Sequence, residues 1–152
     1  MKKILLFCLL VNGASVMVTG QFAPTVTQGV IDSAKLEIVQ LTAEWDNAII
    51  KRDSLTLEKI LAPGYSLNGA VNRSNWIINT LHHFTTDTLS VLGQQNITYY
   101  GQAMKSEASF FWKANYDGKP RINGTYLVTD IWIKQDGHWQ VLIRLSSPSK
   151  SK

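Results

Sequence analysis

One acid and a handful of aromatic side chains are the residues of this chain best suited to chemistry. Asp130 stands in the middle of the run TYLVTDIWIK, among apolar and β-branched neighbours, where an unpaired carboxylate would be costly. An acid in that setting either stays neutral and donates a hydrogen bond, or is ionised and paired. Arg144, in the following run HWQVLIRLSS, is a cation that could pair with it. Asp136-Gly137 lies between the two runs and is a strong two-residue hairpin signal. Counting back from that turn sets Ile143, not Arg144, opposite Asp130. Direct pairing would need a one-residue change of register, which moves side chains between faces. Trp45, Tyr65, Trp76, Tyr126 and Trp132 are the aromatics suited to line a small-molecule pocket. Aromatic stripes at helix or strand spacing also simply pack, so core and ligand contact are both open for each. His82 and His83 are adjacent and point about 100° apart on a helix, so they cannot enter one pocket together. His138 is the only other histidine, so no metal site is expected. No GxSxG, phosphate-loop or dinucleotide fingerprint occurs.

The elements that must position these groups follow from periodicity. Ile31, Ala34, Ile38, Leu41, Trp45, Ala48 and Ile49 recur at three- and four-residue steps, one face of a long helix. Asp53 is placed to cap a second, short helix, SLTLEKIL, which Pro63-Gly64 should end. YSLNGAV reads as a short strand with Asn68-Gly69 at its turn. Asn72 can cap a third helix, Arg73 to about Phe84, with Trp76, Ile77, Leu81 and Phe84 inward. Then the period falls from 3.6 to 2. NITYYGQ, SEASFFWKANY, NGTYLVTDIWIK and HWQVLIRLSS are rich in aromatic and β-branched residues, with Asp117-Gly118 and Asp136-Gly137 as turns. Three helices followed by an antiparallel sheet is an α+β order. Both faces of the late strands are apolar, whereas a sheet with one wet face alternates more cleanly. The pattern therefore predicts helices on one face and a second copy of the chain on the other, a homodimer through the sheet.

The ends read differently. Lys2-Lys3, the apolar run Ile4–Val11 and the small residues Val18 and Gly20 follow one another as in a signal peptide, with cleavage before Gln21. Residues 1–20 are thus expected to be a leader, 21–29 a polar linker, 30–147 a single domain and 148–152 a flexible tail. The expected location is periplasmic or secreted. The single cysteine, Cys8, falls in the leader, so a thiol nucleophile is excluded from the remaining chain. Of the 15 Lys and Arg residues, Lys2, Lys3, Lys150 and Lys152 lie at the ends, and the other 11 balance the 11 Asp and Glu residues. A nucleic-acid binder carries a basic stripe on its folded part, and none is present. No apolar stretch after the leader has the length of a membrane span, so no membrane association is expected after cleavage.

The run LTAEWDNAIIKRDSLTLEKILAPGYSLNGAVNRSNWI, the strands YDGKPRINGTYLVTDIWIK and the closing DGHWQVLIRLSS together resemble the nuclear transport factor 2-like superfamily. That superfamily includes the SnoaL-like and ketosteroid-isomerase-like proteins. The resemblance is nearest to uncharacterised exported bacterial members and runs from Ile31 to Ser147. It implies a cone-shaped, strongly curved antiparallel sheet wrapped around three N-terminal helices, an apolar pocket in the cone, and often a dimer. In isomerase-like members a neutral carboxylic acid on the corresponding strand donates to an oxyanion, and Asp130 matches it by spacing. The helix-borne tyrosine of those members falls at about Trp45, and their general base near Asn68 or Gly69, so neither is matched. The limonene-epoxide hydrolase arrangement is not matched either, since Val128 stands where it has an arginine. The reading that follows is an exported domain that binds a small apolar or amphipathic molecule without catalysis and without a cofactor. Two others stay open: a SnoaL-like isomerase, cyclase or hydrolase using Asp130, and a protein-interaction module acting through the sheet face.

Overall fold

The computed structural model describes residues 26–149; the expected leader, its cleavage site and the end of the tail lie outside them. Helix α1 spans Gln28–Lys51, so it begins inside the stretch expected to be linker. It ends where Arg52 turns left-handed (φ 56°) and its N–H donates to the carbonyls of Ala48 and Ile49. Asp53 then caps α2, Ser54–Ile60: its carboxylate accepts from the Leu55 and Thr56 backbone N–H groups and from the Thr56 hydroxyl. These bonds satisfy donors that the first turn of a helix leaves orphaned. Strand β1, Leu61–Leu67, starts directly afterwards. Pro63 and Gly64 therefore lie inside the strand, at an irregularity in its pairing, and do not end the helix.

Strand β2 is only Val71–Asn72. Asn72 caps α3, Arg73–Ile78, by accepting from Asn75 N–H. The third helix is shorter than its apolar spacing suggests. It widens into a π-turn over Asn79–His83, and Phe84 already belongs to strand β3, Phe84–Tyr100. Two distant groups fix that exit. Arg52 donates from Nε and Nη2 to the Phe84 carbonyl, and Asp117 N–H donates to the His83 carbonyl. Tertiary contacts thus override local periodicity here.

Strands β4 (Ala103–Tyr116), β5 (Lys119–Gln135) and β6 (His138–Pro148) complete one six-stranded sheet of order β2-β1-β6-β5-β4-β3. All neighbours are antiparallel except β1 and β6, which run parallel. The expected two-residue turns are present: Asp117-Gly118 and Asp136-Gly137 both have positive φ throughout, which matches the twist of the flanking strands. Bulges interrupt the ladders at Leu92/Asn96, Ala114/Asn115 and Ile131/Trp132 and bend the sheet. The three helices cover its concave side. Trp45 of α1 is fully buried edge-on to Tyr65 of β1 and Trp132 of β5. Among the described residues, no helix is long and apolar enough to cross a membrane.

Candidate functional site

The bulge at Ile131/Trp132 decides the central chemistry. Trp132 pairs with Val141 but Ile131 pairs with Ile143, which leaves Leu142 as the extra residue. Regular counting from the Asp136-Gly137 turn is overturned at this point, and Asp130 stands directly opposite Arg144. Both side chains point to the concave side and are almost fully buried, with 1% and 6% of their surfaces exposed. Arg144 donates from Nε to Asp130 Oδ1 at 2.7 Å and from Nη2 to Oδ2 at 2.8 Å, the fork-on-fork geometry of a strong charge-assisted pair. Its guanidinium lies 3.6 Å from the centroid of the Trp45 ring and 5.4 Å from that of Phe110, in the range of cation–π attraction. Burial alone would lower the pKa of Arg144; the charge and hydrogen bonds of Asp130 outweigh it and hold the group above its ordinary value.

Asp46, which the sequence reading passed over, is the third member of this buried group. It is 7% exposed and its Oδ1 has no hydrogen-bond partner among the described residues. Burial pushes its pKa from 3.8 to about 7, Arg144 opposes that rise and Asp130 adds to it. Burial likewise pushes the Tyr65 phenol up, and its hydroxyl too is unpartnered among the described residues.

Beside this cluster the cone holds a partly open cavity of about 170 Å³. Its helical and β1 walls are Ile49, Leu67 and Trp76; the sheet supplies Phe110, Trp112, Tyr126 and Val128, with Arg144, Ser146 and Asn68 as polar points. Of the aromatics proposed from the sequence, Trp76 and Tyr126 therefore line the cavity. Trp45, Tyr65 and Trp132 pack next to it without lining it. Asp130 does not line it either, and its partner Arg144 does. The Asn68 amide is occupied by the backbone: it donates to the Ser146 carbonyl and accepts from Ser146 N–H. It ties β1 to β6, and a carboxamide is not a general base. Neither Asp46 nor Asp130 lines the inner cavity, and both oxygens of Asp130 are committed to Arg144.

Leu67, Trp76 and Trp112 also line an outer groove of about 650 Å³ at the wide end of the cone. His83 sits at that end, stacked on Tyr116, with Nδ1 2.8 Å from Asp117 Oδ1; His82 is exposed. A third groove, about 890 Å³, lies outside the cone, between the start of α1 at Val26 and the hairpin tips at Tyr100 and Gln135. Among the described residues it holds no buried charge, and the cone cavity, next to the buried cluster, is the better candidate site.

The fold is that of the NTF2-like proteins. An NTF2-like protein from Cytophaga hutchinsonii superposes with a TM-score of 0.68 at 16% identity, over 82% of this chain and all of that one. An NTF2-like superfamily protein from Salmonella enterica serovar Typhimurium gives 0.68 at 20% identity, over 80% and 96% of the two chains. An NTF2-like protein of unknown function in nutrient uptake from Rhodospirillum rubrum gives 0.68 at 16%, over 74% and 98%. No protein-family model matches the sequence, and no curated protein matches it.

Proposed function

We propose that this chain is an exported domain that holds a small apolar or amphipathic molecule in the cone without transforming it. The observation that carries the reading is the aromatic-walled cavity beside a buried arginine whose charge Asp130 already neutralises. Concave, mostly apolar pockets with a few polar points are the usual form of small-molecule sites. Catalysis is disfavoured because, among the described residues, no carboxyl group lines the inner cavity and the amide of Asn68 is bound to backbone. Filling the cavity tests the reading. Val128→Phe places a ring in the space between Phe110 and Ser146. It should weaken binding of the amphipathic fluorophore 1-anilinonaphthalene-8-sulfonate about tenfold or more, with the circular dichroism of the folded chain unchanged. Undiminished binding by folded Val128→Phe protein would place the ligand elsewhere.

A second reading rests on the outer face of the sheet. Leu127 and Leu145 are 53% and 51% exposed, and the paired Ile131 and Ile143 continue the same strip. We infer that two copies associate through it, since an exposed apolar strip on a central pair of strands favours burial. Light scattering at micromolar concentration should give a dimer, and Leu127→Glu with Leu145→Glu should give a monomer. A natural chain that is already monomeric removes this reading.

A further inference from the structure

We infer that the molecule in the cone is a single-chain amphiphile with an anionic head, its tail inside and its head held at the mouth by Lys119 and Arg121. The inference rests on the binding reading above and adds the ligand's chemistry and orientation. The mouth groove is walled by Trp76, Phe84, Trp112 and Tyr116; among the described residues, the charged side chains lining it are Lys119 and Arg121, and no Asp or Glu lines it or the inner cavity.

Their placement depends on a bulge. Ala114 pairs with Ile122 and Asn115 with Pro120, so Arg121 has no partner across the ladder. Without this extra residue, regular alternation would place Lys119 on the same face as Leu127, outside the cone. One inserted residue reverses the face of what precedes it. Lys119 accordingly pairs with Tyr116, and both line the groove. Among the described residues, neither cation is in an ion pair, and the nearby turn acid Asp117 is engaged by His83.

The two ends of the space therefore differ in charge. Inside, Arg144 is neutralised by the bidentate bond to Asp130; at the mouth, two positive charges lack a counter-ion. A ligand with its anion inside would have to compete with Asp130, whereas one with its anion outside meets free donors. The inner cavity, about 170 Å³, is on the scale of the ~150 Å³ apolar cavities that take up a benzene ring. It suits the end of a hydrocarbon tail, with the rest of the chain lying along the aromatic groove.

The test is calorimetric titration of the purified chain with decanoate, decanol and decyltrimethylammonium, each below its micelle concentration. Decanoate should bind about tenfold more tightly than decanol, the scale expected of partly exposed ionic contacts, and the preference should shrink in high salt. Lys119→Gln with Arg121→Gln should abolish the preference and leave decanol affinity unchanged. Lys119→Glu with Arg121→Glu should shift it towards decyltrimethylammonium. Equal binding of decanoate and decanol, or a preference that survives the double glutamine variant, overturns the anionic head while the cone reading stands. Failure of all three compounds to bind overturns both.

Discussion

Replacing Arg144 by methionine lowers the free energy of unfolding by about 3–5 kcal/mol, and adding Asp130→Leu restores most of that loss. The single variant leaves a carboxylate with 1% of its surface exposed and no partner for either oxygen, while the arginine's stacking on Trp45 is also lost. An uncompensated buried charge is the costly state; the paired state is close to break-even against apolar residues of similar volume. A domain of this size has roughly 5–15 kcal/mol in total, so the single variant approaches the limit of folding. Urea unfolding of the two single variants and the double variant measures the cycle. A loss below about 1 kcal/mol for Arg144→Met would mean that Asp130 finds another partner or water.

Asp46 makes the folded state more stable in acid than in base. The unfolded chain ionises this carboxyl near its ordinary 3.8 and the folded chain only near 7, chiefly because it is buried. Between those values the folded state binds the extra proton, so stability falls as pH rises through that window. Below it both states are protonated and nothing is lost. Above it both are ionised and the full penalty applies, of the order of 4 kcal/mol at about 1.4 kcal/mol per pH unit. Arg144 lowers this penalty and Asp130 raises it. Asp46→Asn removes the titrating group. The stability of Asp46→Asn relative to the natural chain should therefore rise from about pH 4 to about pH 8 and level off above. A difference that stays flat across the range would show that water or a cation reaches Asp46 in the folded chain.

The turn chemistry and helix caps were legible in the sequence because they are local. Asp53 and Asn72 cap the helices they precede, and Asp136-Gly137 turns the last hairpin with positive φ at both residues. What periodicity could not supply was where a ladder breaks. The extra residue at Leu142 brings Arg144 opposite Asp130, and nothing in the alternation of HWQVLIRLSS marks it. The π-turn after Ile78 is set from a distance by Arg52 and Asp117, so the apolar spacing through Phe84 suggested a longer helix. Asp46 follows the prominent Trp45 directly in sequence. Ile38, Thr42, Asp46 and Ile49 stand at four-, four- and three-residue steps and are all buried, so the helical spacing held that signal. The aromatic candidates divide for a similar reason. Trp76 and Tyr126 reach the cavity, whereas Trp45, Tyr65 and Trp132 form an edge-on stack beneath it. Residue type alone cannot separate a wall from a floor.

The parallel pairing of β1 with β6 joins Leu61 to Val141, and the amide of Asn68 bridges 78 residues to Ser146. The last strand among the described residues thus occupies an interior place in the sheet, between β1 and β5. A nascent chain lacking β6 has β1 without its main neighbour and Asp130 without its cation, so its concave face cannot close. Closing so long a loop costs entropy before any contact rewards it, and folds dominated by distant pairings form slowly. The hairpin beyond Asp136-Gly137 must therefore form before the concave face can close.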